Sequence, residues 1–280
     1  MTQMSIKVPV RRVGEQELTE ELDRIAVEEP LEIRLRYTNN AEPTVESIAI
    51  TMRTPGDEFD LATGFLFTEG IIRRASDIEA LRYIDDEKYT GTYRNRVEVE
   101  LLPQVDVDID RLQRHFYATS SCGVCGKTSL SALKVQSIYE AGSDNLHLQP
   151  DVLSAIPKAL GAQQSTFLET GGLHAAGLFD AGGRLLDIRE DVGRHNALDK
   201  LIGAALHRDQ MPLSQFGIVV SGRTSFELMQ KAHMAGCPLV VAVGAPSSLA
   251  VDLAWEFDMT LVGFLRDGRF NVYAGPSRIG

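Results

Sequence analysis

Residues 217–265 read GIVVSGRTSFELMQKAHMAGCPLVVAVGAPSSLAVDLAWEFDMTLVGFL, and this stretch decides the fold. The runs Ile218-Val-Val220 and Leu239-Val-Val-Ala-Val243 are continuously apolar rather than alternating, as strands covered on both faces are. Between and after them, Ser225–Ala235 and Ser248–Phe257 carry helical spacing, and Leu261–Leu265 supplies a third strand. Strands that alternate with helices predict a parallel sheet with helices on its faces. Working outward, Arg194–Leu206 is a helix with Ala197, Leu198, Leu201, Ala204 and Ala205 on one stripe, and Ala175–Asp180 with Arg184–Ile188 forms a hairpin across Ala181-Gly-Gly183. Residues 151–280 are therefore expected to form a three-layer α/β/α domain.

The first hundred residues follow a different period. Leu31–Tyr37, Ser47–Met52 and Arg96–Leu101 alternate apolar with polar side chains, and one helix interrupts them, capped by Asp57 or a neighbour, carrying Phe59, Ala62, Phe65 and Leu66, and ended by Gly70. This predicts a smaller α+β region over residues 1–116. Residues 117–129 are small and polar, which favours turns and packs no core, so residues 117–150 are expected to be a mobile loop and linker.

Composition bounds the function. A chain of 280 residues, 44% hydrophobic and 24% charged, is an ordinary globular protein, and a net charge of −11 opposes binding to nucleic acid or to an anionic membrane. Met1–Arg12 holds no apolar core for a signal peptide, and the longest apolar run, Pro238–Pro246, is far shorter than the roughly twenty residues of a membrane span. A cytoplasmic location is expected. There, the 3 cysteines are not a disulfide framework, and two of them form Cys122-Gly-Val-Cys125.

Such a pair can ligate zinc, cycle as a dithiol or carry sulfur as a persulfide. Structural zinc wants four ligands, and the sequence offers no second pair, only Cys237 and scattered histidines. A thioredoxin-like site would follow a buried strand, whereas His115–Ser121 is polar. Burial as small core residues fits poorly beside Ser120, Ser121, Gly123, Gly126 and Lys127. An exposed thiol with Lys127 nearby to favour the thiolate suits nucleophilic sulfur chemistry. Gly126-Lys127-Thr128 mimics the end of a phosphate-binding loop, but the first glycine of that motif would fall on Ser121.

Ligands of α/β sheets bind outside the carboxyl ends of the strands. Ser221–Glu227, with Thr224 and Glu227 spaced as a capping box, and Ala245–Ser248 are strand-to-helix turns of that kind. Two capped helices would look the same. Arg189, Arg194, His195, Arg223, Arg266 and Arg269, however, all fall at element ends, a local basic supply suited to phosphate in an acidic chain. His174 and His195 lie in turn-rich settings, where either serves as a base, a ligand contact or part of a hydrogen-bond network.

Together, Cys122-Gly-Val-Cys-Gly126, Gly172-Leu-His-Ala-Ala176, Glu190-Asp-Val-Gly-Arg-His-Asn-Ala-Leu-Asp-Lys200 and Thr260-Leu-Val-Gly-Phe264 resemble the FdhD family, formate dehydrogenase accessory proteins that act as sulfur carriers. With Phe59–Ile72 included, the likeness spans residues 59–273 in order. The resemblance implies a sulfurtransferase that accepts sulfur from a cysteine desulfurase, holds it as a persulfide and passes it to the molybdenum or tungsten of bis-molybdopterin guanine dinucleotide before that cofactor enters formate dehydrogenase. It puts the persulfide on Cys122, an assisting role on Cys125, and the cofactor on Phe264, Leu265, Arg266, Asp267, Gly268 and Arg269. It also implies a cytidine deaminase-like fold and a homodimer, although the His-x-Glu and Pro-Cys-x-x-Cys zinc signatures of deaminases are absent. Two other functions compete: a cofactor-binding chaperone that moves no sulfur, and a CxxC thiol-disulfide oxidoreductase.

Overall fold

The computed structural model describes residues 3–13, 18–40, 42–85, 93–107, 137–139 and 146–280. The N-terminal elements are β1 (Ser5–Val13), β2 (Leu18–Ala26), β3 (Glu29–Asn39), β4 (Glu42–Arg53), α1 (Glu58–Thr68), β5 (Ile78–Tyr83) and β6 (Arg96–Leu101). The helices and strands that follow are α2 (Pro150–Gln163), α3 (Ser165–Thr170), β7 (His174–Phe179), β8 (Leu185–Asp191), α4 (Arg194–His207), β9 (Gly217–Val220), α5 (Phe226–Met234), β10 (Leu239–Ala242), α6 (Ser248–Glu256), β11 (Thr260–Arg266) and β12 (Arg269–Ala274). The architecture is mixed α/β.

The C-terminal strands form one sheet in the order β12-β11-β10-β9-β7-β8. β9, β10 and β11 pair in parallel, while β12 and β7 are antiparallel to their neighbours and β8 is antiparallel to β7. Strands β8 to β11 therefore point the same way, and α4, α5 and α6 each begin just beyond the carboxyl end of one of them. The continuous apolar runs are explained by cover on both sides. Val219, Leu239 and Val241 pack with Leu153, Ile156 and Leu160 of α2, whereas Ile218, Val220 and Val240 pack with Leu198, Leu201, Leu228 and Leu253 of α4, α5 and α6. Each such leucine contributes roughly 2 kcal/mol by leaving water.

The second sheet has the order β4-β3-β6-β5. Leu31, Ile33, Leu35 and Tyr37 of β3 and Val97, Val99 and Leu101 of β6 turn inward onto α1, and the same apolar cluster continues through α4 into the first sheet. Glu98, on the outer face of β6, is buried between Arg36 and Arg82. Helices α1 and α4 cross backbone against backbone: a Cβ at Gly64 would overlap the Asp199 carbonyl oxygen, and one at Gly203 would overlap that of Asp60. No side chain fits there, so glycine is required for space rather than for flexibility.

Two local expectations need correction. Asp57 occupies the N-cap position of α1, but with φ 57° its side chain makes no capping bond, and the Glu58 carboxylate instead accepts from Gly56 N at 2.8 Å. The other end of α1 behaves as expected: Gly70 has φ 71°, and Ile71 N closes on Leu66 O at 2.8 Å. Thr224 and Glu227 form no capping box, because α5 starts one residue later with Ser225 as its N-cap. Thr224 is drawn into a bridge to Pro246, its N–H donating to Ala245 O at 3.2 Å. Among the described residues no helix is long and apolar enough to cross a membrane.

Candidate functional site

The carboxyl end of the first sheet carries His174, Arg194, His195 and Ser221. Antiparallel pairing sets His174, the first residue of β7, opposite Asp191, the last of β8. Ser221, the first residue past β9, fixes β7 from the other side by accepting Ala175 N on Oγ at 2.9 Å and donating its own N–H to Ala175 O at 2.9 Å. The start of α4 then brings Arg194 and His195 to the same edge.

That turn is held by a buried ion pair. Lys200 Nζ lies 2.7 Å from Asp191 Oδ2, both side chains being fully buried, and donates to Thr54 O at 2.9 Å. Asp191 also accepts from Thr54 N at 3.1 Å, Gly193 N at 2.9 Å and Asn196 Nδ2 at 3.1 Å. With its lone pairs occupied, the carboxylate locks the Asp191–Asn196 turn to the end of β4.

His195 Nε2 lies 3.2 Å from Ser225 Oγ. Burial, followed by the nearby Lys231 and Arg194 cations, lowers its pKa to about 4, so it is neutral at physiological pH. Burial and Arg194 lower His174 as well. Burial opposes ionisation of Glu227, but hydrogen bonds from Ser225 and from its own backbone, with His195 and Arg194 nearby, hold its carboxyl below the usual range. Lys231 lies 2.9 Å from Asp199 Oδ2 and donates to Thr68 Oγ1 at 2.9 Å. Against the burial that would neutralise it, Asp199 and Glu69 raise its pKa. The edge therefore combines two histidines held toward their neutral form with arginine and serine.

The segment Phe264–Arg269 is the β11–β12 hairpin, projecting from this same edge. Arg266 pairs with Arg269, and Asp267 and Gly268 between them have φ 52° and 73°, a two-residue turn with both residues left-handed. Phe264, at φ 54° in a bulge, donates its N–H to Gly244 O at 3.0 Å and is 39% exposed. Arg266, Asp267, Gly268 and Arg269 are exposed, and neither arginine has an ion pair among the described residues. Leu265 points the other way, fully buried in the cluster beneath α2.

Of the other basic residues, Arg223 is exposed and Arg194 half-buried, its Nε without a partner among the described residues. Arg189 does not belong with them. Its guanidinium is engaged by Asp57, Asp60 and Asp187 on the flank of α1. Cys122, Cys125 and Lys127 lie outside the described residues, and Cys237 is buried, its Sγ donating to Phe216 O and Leu239 O. Sequence reasoning missed Ser225 and Lys231. Their spacing to Glu227 along one helix start was the available signal.

Comparison with known proteins places the chain. The profile described as the FdhD/NarQ family matches residues 26–280. The sulfur carrier protein FdhD of Streptomyces avermitilis is 51% identical over 260 residues, covering 92% of this chain and 89% of that protein. That of Mycobacterium tuberculosis is 46% identical over 277 residues, 96% of each chain. A crystal structure described as that of a formate dehydrogenase accessory protein from Desulfotalea psychrophila superposes with a TM-score of 0.73 at 23% identity, covering 99% of this chain and 100% of the other, which shows a shared fold. On this extent of sequence and fold, the chain belongs to the FdhD/NarQ family.

Proposed function

We propose that this chain is a sulfurtransferase: it accepts sulfur from a cysteine desulfurase on Cys122 and delivers it to the metal of bis-molybdopterin guanine dinucleotide, its substrate, before that cofactor enters formate dehydrogenase. The observation that carries the reading is the Cys122-Gly-Val-Cys125 pair in a chain about half identical, over nearly its whole length, to a sulfur carrier protein. In loading, the Cys122 thiolate attacks the terminal sulfur of the donor persulfide, the donor S–S bond breaks, and the donor cysteine leaves as a thiolate that takes up a proton. In delivery, the Cys125 thiolate attacks Cys122 Sγ, and hydrosulfide leaves as the sulfur the metal receives. The two thiols supply its two electrons and end as a disulfide, which a cellular dithiol reduces.

The carboxyl edge supports the substrate half of this reading. Arg266 and Arg269 stand exposed on a rigid two-residue turn, with Arg223 at the start of α5, and phosphate oxygens suit such donors. With it go a cytidine deaminase-like reading of the C-terminal sheet, without deamination, a cytoplasmic location and a homodimer. Mass spectrometry after incubation with a cysteine desulfurase and cysteine tests it. The peptide from Cys122 to Lys127 should gain the mass of one sulfur atom, and an unmodified peptide would favour a cofactor-binding chaperone.

A further inference from the structure

Strands β1 and β2 form a sheet of their own, nine residue pairs long, from Ser5 opposite Ala26 to Val13 opposite Leu18. At 3.3 Å per residue this hairpin is roughly 30 Å long. The contacts that seat it on the body lie at its root. Ser5 Oγ and Arg24 Nη1 donate to Glu169 of α3 at 3.2 and 3.1 Å, and Val27 N donates to Met4 O at 2.9 Å. A Cβ at Gly172 would meet that of Ala26 at 3.6 Å. Beyond the root the hairpin is an arm, and every residue of β2 from Leu18 to Ile25 is exposed.

Opposed residues share a face, and the faces alternate along the ladder. The face that meets the body through Ser5, Arg24 and Ala26 continues outward as the pairs Pro9–Leu22 and Val13–Leu18, with the Arg11–Glu20 ion pair between them. Leu22 is 66% exposed, Val13 74% and Leu18 58%, and none of the four apolar residues belongs to either core cluster. A two-stranded hairpin is marginal in water by itself, and paired apolar rows on a solvated arm mark an interaction surface. A second uncovered apolar group lies on the outer face of β3 and β4, where Met52 opposes Pro30 and Ile50 opposes Glu32. Ile50 is 65% exposed and Met52 47%.

The charges beside the apolar pairs are answered within the arm, Arg11 by Glu20 at 2.9 Å and Arg12 by Glu21 at 2.7 Å. The arm can therefore approach a second copy of a chain of net charge −11 without the repulsion that an acidic surface would meet. Both apolar groups belong to one chain, so a two-fold axis lets arm meet patch twice in an isologous interface. The two nine-residue strands and the β4 patch come to about twenty residues a side, the size of a standard interface. We propose that two copies of this chain exchange arms, Pro9, Val13, Leu18 and Leu22 of each arm covering Pro30, Ile50 and Met52 of the other copy. This rests on the homodimer of the proposed function and names the surface that makes it.

Analytical ultracentrifugation of the full-length chain tests it. The wild type should sediment as a dimer at micromolar concentration. An arm variant, Leu18→Ser with Leu22→Ser, and a patch variant, Ile50→Ser with Met52→Ser, should each raise the dimer Kd about a hundredfold or more. Their circular dichroism should match the wild type, because all four side chains are exposed within one chain. Mixed one to one, the two variants should dimerise more tightly than either alone, since the intact arm of one meets the intact patch of the other. A monomeric wild type would overturn the arm exchange together with the homodimer on which it rests. Wild-type dimerisation in either variant, or a mixture no tighter than its components, would leave the homodimer standing and overturn the arm exchange.

Discussion

The two ends of the first sheet are finished differently. At the amino end, the β7–β8 turn is closed by Asp180, whose Oδ1 accepts from Gly182 N and Arg184 N at 3.0 Å each, and Arg278 is buried against Thr260 Oγ1 at 3.3 Å and Asp258 at 3.4 Å. At the carboxyl end, the β11–β12 turn presents two arginines to solvent, and Gln164 Nε2 and Arg194 Nε lack partners among the described residues. The chain can satisfy an arginine or an aspartate at a sheet end with its own groups. Where it does not, donors are left unused at one end, with Arg194 beside His174 and His195, and that contrast is what favours this end for the proposed ligand.

The contrast can be broken most severely at its support. Asp191→Ala leaves Lys200 charged in a fully buried place and releases the turn that carries Arg194 and His195, so urea denaturation should show a loss of about 3–5 kcal/mol. Gly203→Val forces a side chain into the α1–α4 crossing and should cost about 3 kcal/mol by the same measurement, with the two sheets losing their common core.

Acidification probes the histidines. His195 has a folded pKa of about 4 against an ordinary 6.5, so the unfolded chain binds more protons between those values, and stability should be full above pH 6.5 and fall as pH drops toward 4. The His195 contribution is at most about 3 kcal/mol, and His174 and His233, also lowered, act in the same direction. Thermal melts of His195→Gln across this range should show a shallower slope than wild type.

The smallest effect on stability belongs to the exposed turn. Arg266→Ala with Arg269→Ala should shift unfolding by no more than about 0.5 kcal/mol while weakening guanine nucleotide binding about tenfold or more, as measured by titration. Equal affinity in the double variant would remove the hairpin from the ligand-facing end.

Much of this end was legible in the sequence because burial on both faces writes a continuous apolar run. The helices and strands from Arg194 to Leu265 fall within about two residues of the pattern, the uncertainty usual for element ends. The β1–β2 hairpin left no such trace: Val13, Leu18 and Leu22 are exposed, so no buried face imposed a period. Helix α2 was hidden by Pro157 and Gly161, although Leu153, Ile156 and Leu160 already marked its buried stripe. Arg189 looked like a phosphate ligand because its partners Asp57 and Asp60 are remote in sequence. Gln164 gave no signal at all, since an amide declares itself only when the fold removes its water.

The proposed transfer of sulfur on Cys122 is read out by a single variant. Cys122→Ala, expressed in place of the wild-type chain, should abolish formate dehydrogenase activity in the cell while the purified protein still binds guanine nucleotide. Formate dehydrogenase activity retained at the wild-type level in that variant would rule out sulfur transfer on Cys122.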